Sequence, residues 1–241
     1  MNQLPTAVFC WSGGKDSSFC LYQILTQKTF TVKYLLTTIN DRYKRVSMHG
    51  IREELVDKQA ESIGIPLLKM RVYEGSNKEY EQEMESILIN LKSEGINHVI
   101  FGDIFLEDLR IYRENNLAKI GMTGIFPLWG METTLLMYHF IKIGFKTITC
   151  CVNDGYLGQE WVGREIDSNF LKQLPLFVDP CGENGEYHSF CYDGPLFKNK
   201  INFSIGEKIY KTLDTKNEIN TIPSTVVKTK GFWYCDLIPI Q

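Results

Sequence analysis

The feature that most constrains the fold is a regular alternation of short apolar runs with amphipathic stretches, which extends to about residue 152. Runs rich in β-branched residues predict strands buried on both faces, and the stretches between them place apolar residues at helical spacing. The predicted strands cover residues 7–11, 32–39, 66–72, 98–104 and 146–152. The predicted helices cover residues 16–27, 52–63, 78–94, 109–120 and 132–143.

Five strands joined by helices predict βαβ crossovers, and therefore an α/β fold built on a doubly wound, mostly parallel sheet. The remaining part of the chain differs, because it is rich in Gly, Pro and aromatic residues. Short strands are predicted there at residues 190–192, 201–205 and 225–228. We therefore expect a smaller C-terminal α+β domain, with residues 1–130 in the first domain and 131–241 in the second.

Composition excludes several classes of protein. A formal charge of −3 disfavours a strongly basic nucleic-acid binder, and 44% hydrophobic residues argue against a disordered chain. No apolar stretch reaches the ~20 residues that a membrane span needs, and the N-terminus lacks the charged region of a secretion signal. A cytoplasmic location, with the seven cysteines as reduced thiols, is expected.

A glycine-rich string directly follows the first predicted strand and opens the first predicted helix. It reads Ser12, Gly13, Gly14, Lys15, Asp16, Ser17. Adjacent glycines let backbone N–H groups surround an anion, and the helix N-terminus adds positive potential. Lys15 adds a point charge, whereas Asp16 would repel phosphate unless it holds Mg²⁺. The spacing is neither a Walker A loop nor G-x-G-x-x-G. The alternative is a simple helix N-terminus capped by Ser and Asp.

Polar residues also follow other predicted strands. Thr37 and Thr38 end the second strand and either line an adenine pocket or reflect β-propensity alone. His49 lies in the next loop, where it binds substrate or phosphate or is simply solvated. Gly102 and Asp103 end the fourth strand, where glycine permits close approach of a ligand and the carboxylate lies near the point at which such sheets bind ligands.

A second string, residues 179–190, combines carboxylates, an amide, a histidine and a thiol around two glycines. Its candidate binding residues are Glu183, Asn184, Glu186 and His188. This composition suits a tight binding loop, and the alternative is an Asn-Gly turn between two strands. Cys181 is either a nucleophile or, as a single cysteine without an established base, inert. No C-x-x-C spacing is present, so structural zinc is not expected.

Together these strings resemble the diphthamide synthetase, or diphthine–ammonia ligase, family of PP-loop ATPases in the adenine nucleotide α-hydrolase-like superfamily. The strings are SGGKDS at 12–17, MHGIR at 48–52, FGDI at 101–104, PLWG at 127–130 and PCGENGEYHSF at 180–190. The resemblance covers roughly residues 6–212. FLEDLRIYR at 105–113 replaces the YQR-like string of diphthine-amidating members, so the chain is more similar to the family's short bacterial branch, whose acceptor need not be diphthine.

The resemblance implies a HUP-type first domain and a second domain that holds the substrate against ATP. It implies a ligase that adenylylates an acceptor carboxylate, releases pyrophosphate, and amidates the acceptor with ammonia. Residues implied to contact ATP are Ser12, Gly13, Gly14, Lys15, Ser17, Thr37, Thr38 and Gly102. Lys15, Asp16 and Asp103 are implied to be catalytic, with the two aspartates on Mg²⁺. Residues implied to face the acceptor are His49, Arg110, Glu183, Asn184, Glu186 and His188.

Two other functions remain open at this point. The HUP architecture also hosts non-catalytic binders, so an ATP- or AMP-binding sensor is one alternative. A PP-loop tRNA-modifying enzyme is another, although the acidic charge and the missing C-x-x-C spacing argue against it. Neither a membrane nor a nucleic-acid partner is expected, and a homo-oligomer is left open.

Overall fold

A computed structural model describes residues 4–73, 77–213 and 228–240 of the chain. The first of its two sheets contains strands β1 (Thr6–Cys10), β2 (Thr31–Asn40), β3 (Arg45–Val46), β4 (Leu67–Val72), β5 (His98–Ile100) and β6 (Thr123–Ile125). Five of them run parallel in the order β4-β2-β1-β5-β6, and β3 pairs antiparallel with the end of β2, beyond the end of β1.

Five helices cover both faces of this sheet. They are α1 (Lys15–Gln27), α2 (Glu53–Ile63), α3 (Asn77–Ser93), α4 (Glu107–Lys119) and α5 (Thr133–Ile143). Along β1, Val8 packs with residues of α3 and α4, whereas Phe9 packs with residues of α1, α2 and α5 on the other face. The doubly wound α/β arrangement is therefore confirmed. No helix in the described ranges is long and apolar enough to cross a membrane.

The C-terminal part forms a smaller α+β unit around a second, antiparallel sheet. Its strands are β7 (Lys146–Asn153), β8 (Tyr187–Asp193), β9 (Phe203–Thr212) and β10 (Gly231–Pro239), in the order β8-β7-β10-β9. A 3-10 turn (Gln159–Trp161) and a short helix α6 (Ser168–Gln173) lie between β7 and β8. The expected smaller C-terminal α+β unit is thus confirmed.

One hydrophobic core joins the two sheets. The rings of Phe19 on α1 and Phe140 on α5 lie 6.3 Å apart, and Phe140 stacks on Phe145, just before β7, at 4.7 Å. Phe190 of β8 belongs to the same buried cluster. The two units therefore share apolar packing, and the domain boundary at residue 130 stays a prediction.

The predicted fifth parallel strand is wrong. Residues 146–153 form a central strand of the antiparallel sheet, between β8 and β10. A strand buried along nearly its whole length reads as a continuous apolar run in either kind of sheet, so the pattern does not reveal its direction. The fifth parallel strand is β6, which has only three residues. Of the predicted strand at 225–228, residues 225–227 lie outside the described ranges, and β10 was not predicted.

Candidate functional site

The glycine-rich string forms the turn between β1 and α1. Gly13 adopts a φ of +78°, a left-handed conformation that glycine adopts without strain. The Ser12 hydroxyl accepts the N–H of Gly14 at 3.3 Å, and the Ser17 hydroxyl donates to the Gly14 carbonyl at 3.0 Å. The turn is thus closed by its own side chains at the positive end of α1, which is the arrangement expected for a phosphate loop. We call this turn, residues 12–17, the phosphate loop.

Lys15 and Asp16 form a close ion pair inside this turn. Lys15 is 2% exposed, and its Nζ lies 2.6 Å from Asp16 Oδ2. Burial alone would lower the pKa of Lys15, but the neighbouring Asp16 carboxylate raises it, so the lysine stays charged. Burial raises the pKa of Asp16, against the opposing effect of Lys15. Asp16 Oδ1 is buried and has no hydrogen-bond partner among the described residues, which leaves it available to a cation.

Strand β8 of the second sheet docks directly onto the phosphate loop. The Lys15 N–H donates to the Ser189 hydroxyl at 3.1 Å, and the Cys191 N–H donates to the Gly13 carbonyl at 2.9 Å. A Cβ at Gly14 would lie 2.8 Å from His49 Cε1 and 3.1 Å from the Ser189 carbonyl oxygen. The loop is therefore enclosed by both halves of the chain.

The rings of two histidines lie against each other beside the loop, tilted by 36°. The rings of His49 and His188 lie 4.7 Å apart, and His49 Nδ1 is 3.0 Å from the Ser189 carbonyl oxygen. Burial lowers the pKa of His49 to about 4, and burial together with His49 and Lys15 lowers the pKa of His188. Both rings are therefore neutral at pH 7, so they offer hydrogen bonds to a ligand rather than positive charge.

The acidic loop, residues 179–186, is held in shape by its own hydrogen bonds. Asp179 Oδ2 accepts the N–H groups of Cys181 and Glu183 at 2.9 and 3.1 Å. Glu186, which is buried, accepts the Asp179 N–H at 3.0 Å and the Asn184 side-chain amide at 3.1 Å through Oε1. Glu186 and Asn184 therefore hold the loop in shape, although Glu186 Oε2 has no hydrogen-bond partner among the described residues.

Glu183 connects the acidic loop to the segment between β5 and α4. Its Oε1 accepts the N–H groups of Ile104 at 2.7 Å and Phe105 at 3.4 Å. Burial, reinforced by the charge of Asp16, raises the pKa of Glu183 to about 7. A carboxyl group that titrates near neutral pH thus lies close to the phosphate loop, which is a frequent property of functional sites.

Cys181 lacks the surroundings of a nucleophile. Burial raises the pKa of its thiol, so the thiolate is disfavoured at neutral pH. Its Sγ lies 3.5 Å from the Thr133 carbonyl oxygen. These facts favour the inert alternative.

Gly102 and Asp103 were expected to end the fourth strand, but that strand, β5, ends at Ile100 and both residues lie in the segment that follows it. In that segment Gly102 packs against the first turn of α1. A Cβ at Gly102 would lie 3.3 Å from Asp16 C and from Ser17 N. Asp103 forms an ion pair with Arg113, whose Nη2 donates to Oδ1 at 3.2 Å and whose Nε lies 2.7 Å from Oδ2. Oδ2 receives no hydrogen bond from the described residues, but a positive charge already lies beside it. No group of three or more His, Cys, Asp or Glu residues in the described ranges could hold a metal ion by itself. The role of Asp103 on Mg²⁺ stays a prediction.

Three other predicted site residues, Arg110, Thr37 and Thr38, differ in their surroundings. Arg110 pairs with Glu114 at 2.9 Å, and its guanidinium lies 4.6 Å from the centre of the Trp129 ring, so it already has partners within the protein. Thr37 is 1% exposed, and its hydroxyl has no partner among the described residues. Thr38 is half-buried beside it. The adenine pocket therefore stays a prediction.

Sequence reasoning missed two residues that shape the phosphate loop. Ser189 lies within the string of residues 179–190, just after the acidic loop, and its position beside His188 was the only signal in the sequence. Gln59 lies on α2 and donates through Nε2 to the Gly13 carbonyl at 3.0 Å. No local pattern marks it, because its role depends on a contact between distant parts of the chain.

Comparisons with known proteins agree with the motifs. The family model "Diphthamide synthase N-terminal domain" matches residues 5–123, and "Diphthamide synthase C-terminal domain" matches residues 132–223. A protein of Danio rerio named "Diphthine--ammonia ligase" is 26% identical over 91% of this chain and 94% of its own length. The Homo sapiens protein of the same name is 25% identical over 84% of each chain. A solved structure described as a predicted subunit of tRNA methyltransferase from Methanocaldococcus jannaschii aligns with a TM-score of 0.44 and 16% identity, over 82% of this chain and 100% of that chain, a likeness too low to bear on function.

Proposed function

The chain belongs to the diphthamide synthase family, and on this premise we propose that it is an ATP-dependent ligase that joins ammonia to an acceptor carboxylate as an amide. The observation that carries the proposal is the meeting of two loops. Ser189, which follows the acidic loop, accepts the N–H of Lys15 in the phosphate loop. A site that gathers phosphate-binding groups and titratable groups at one point suits a reaction between a nucleotide and an acceptor.

The proposed reaction has two steps. In the first, an oxygen of the acceptor carboxylate attacks the α-phosphorus of ATP, and pyrophosphate leaves with the electron pair of the broken P–O bond. In the second, ammonia attacks the acyl carbon, loses a proton to solvent or a nearby base, and AMP leaves. The residues proposed to hold the pyrophosphate are Ser12, Gly13, Gly14, Lys15 and Ser17. The buried Lys15 charge stabilises the negative charge that develops on the leaving group.

A magnesium ion fits the surroundings of Asp16 better than those of Asp103. Asp16 Oδ1 is a buried carboxylate oxygen without a partner among the described residues, and a hard cation prefers such oxygens. Asp103 already pairs with Arg113, so we propose Asp16 as the principal contact and Asp103 as a second contact only if Arg113 moves. When bound, the ion would neutralise phosphate charge.

On the acceptor side, we propose contacts from Glu183, His49 and His188. Asn184 and Glu186 act mainly by shaping the loop, since both are held by hydrogen bonds within it. Arg110 would have to leave Glu114 and Trp129 to reach an acceptor. Diphthine is the first acceptor to test, because the relatives are named for it.

A product assay tests the proposal. The protein is incubated with ATP, Mg²⁺, ammonium and candidate acceptors that include a diphthine-bearing protein, and AMP, ADP, pyrophosphate and phosphate are quantified. We expect AMP and pyrophosphate in equal amounts, dependent on the acceptor and matched by amide formed. ADP and phosphate as products would overturn the mechanism. ATP binding without pyrophosphate release across all acceptors would favour a sensor instead.

A further inference from the structure

Gln59 contacts three separate parts of the candidate site. It lies on α2 and is 0% exposed. Its Oε1 accepts the indole N–H of Trp11, at the end of β1, at 3.0 Å. Its Nε2 donates both to the Gly13 carbonyl of the phosphate loop, at 3.0 Å, and to the Cys191 carbonyl of β8. A single buried amide therefore joins β1, the phosphate loop and the second sheet.

The orientation of this amide is fixed by its partners. Both Nε2 hydrogens and the Oε1 atom are in use, so a rotation of the side chain would break buried hydrogen bonds. Gly13 lets the amide come close, since a Cβ there would lie 2.7 Å from Gln59 Oε1. The Cys191 N–H also donates to the Gly13 carbonyl, so that oxygen receives two hydrogen bonds. Gln59 thus locates the phosphate loop relative to β8.

We propose that Gln59 is a positioning residue that couples the phosphate loop to the acceptor side of the site. The loop adopts its anion-binding shape when β8 is docked, and β8 carries the acidic loop at its start. Binding of the acceptor at the acidic loop therefore increases the affinity for ATP. Bound ATP increases the affinity for the acceptor by the same factor, as linkage requires. The nucleotide named here rests on the proposed function, whereas the coupling of the two segments does not.

Helix α2 offers a matched control. Ser62 lies one turn after Gln59, is 6% exposed, and also joins α2 to the C-terminal part. Its hydroxyl donates to the Asn199 carbonyl at 2.6 Å and accepts the Asn199 N–H at 2.9 Å. Among the described residues, none of its hydrogen bonds reaches the phosphate loop. Ser62→Ala therefore removes a similar buried link without touching the site.

The experiment compares the full-length protein with Gln59→Met, which keeps the side-chain length, and with Ser62→Ala. Amide hydrogen exchange is measured for peptides covering residues 11–18 and 185–192 without nucleotide, and the Kd for ATP is measured by titration. For Gln59→Met we expect exchange in both segments to accelerate, and ATP affinity to fall, by roughly tenfold, the effect of one or two lost hydrogen bonds. Ser62→Ala should leave both measurements unchanged.

Unchanged exchange and ATP affinity in Gln59→Met would overturn the inference. Equal effects of Gln59→Met and Ser62→Ala on the two segments would do so too, since general loosening would then explain them. If Gln59→Met does not fold, Trp11→Phe removes only the indole N–H that orients the amide, and the same two segments should loosen to a smaller degree. If the wild-type protein does not bind ATP while exchange changes as expected, the proposed function fails and the coupling stands.

Discussion

At the scale of single residues, the buried ion pair of Lys15 and Asp16 gives the most direct prediction. We expect Lys15→Ala to reduce acceptor-dependent pyrophosphate release by about a hundredfold or more, because the charge proposed to stabilise the leaving pyrophosphate is lost. Stability should fall by about 2 kcal/mol, since Asp16 loses its partner 2.6 Å away. Pyrophosphate release and urea unfolding measure the two effects. The exposed Lys33 provides the control, and Lys33→Ala should leave both values unchanged.

Glu183 predicts a dependence of stability on pH. Its pKa is raised to about 7 in the folded protein, from an ordinary value of 4.5, so the folded state binds the extra proton between these two values. The contribution of Glu183 to the free energy of unfolding is therefore fully present below pH 4.5 and is lost as the pH rises through 7. We expect a loss of roughly 1–3 kcal/mol between pH 5 and 8.

The variant Glu183→Gln keeps the oxygen that accepts the Ile104 N–H but does not titrate. Its unfolding free energy, measured in urea at several pH values, should lack this loss. Glu207→Gln, at an exposed position on β9, serves as the control and should follow the wild type. If Glu183→Gln retained the full pH dependence, another group would be responsible for it.

How far single residues could be predicted depended on whether they belong to a local string. The phosphate-loop residues and the acidic-loop residues lie in compact motifs, and the structure brings the two motifs together through Ser189. Gln59 was missed because an isolated glutamine in a charged helix has no distinguishing pattern. Arg113 was not predicted as a site residue, because its ion pair with Asp103 joins α4 to the segment before it and leaves no local pattern.

At the scale of elements, the phosphate loop is enclosed between α1, the loop that carries His49, and β8. Gly14 has an extended backbone, so its requirement for glycine comes from space rather than from φ. Alanine there would place Cβ against His49 Cε1 and the Ser189 carbonyl. We expect Gly14→Ala to displace β8, weaken ATP binding at least tenfold, and cost about 1–3 kcal/mol of stability.

Gly95 provides the opposite case for that prediction. Its φ is +85° and nothing lies within 4 Å of a Cβ placed there, so alanine costs backbone strain alone. Gly95→Ala should therefore reduce stability by about 1 kcal/mol and leave ATP affinity unchanged. Titration with ATP and urea unfolding of both variants decide the matter. Equal ATP affinity in the two variants would contradict the enclosed loop.

Elements were predictable where the pattern was long. The helices and the longer parallel strands follow from periodicity, with their ends shifted by a few residues. β6 was not predicted, because a strand of three residues is too short to show a periodic pattern. β7 was assigned to the wrong sheet, since pairing direction depends on which distant strands, here β8 and β10, lie beside it. Local pattern specifies an element better than it specifies the partners of that element.

At the scale of the whole molecule, the two sheets are held together by links of different kinds. The shared core contains Phe140 and Phe145 at the junction. Asp236 on β10 binds both Arg45 and Arg52, at 2.8 and 2.7 Å, and these hydrogen bonds lower the pKa of Asp236 to about 2. Gln59 adds the link at the site itself. A site assembled from both units depends on this docking, so stability and function are expected to be lost together.

The last prediction concerns cooperativity. Because one apolar core extends from α1 to β8, separating the units would expose buried aromatic side chains such as Phe19 and Phe190 to water, which is strongly unfavourable. We therefore expect one unfolding transition in urea, with coincident midpoints for far-ultraviolet circular dichroism and for hydrogen exchange of amides in β1 and β10. A fragment of residues 1–130 should lack a cooperative transition of its own. Two separated transitions would contradict this expectation, and so would a fragment that folds and binds ATP with wild-type affinity. Either result would mean that the units are independent and that the links through Gln59 and Asp236 contribute little to holding the site together.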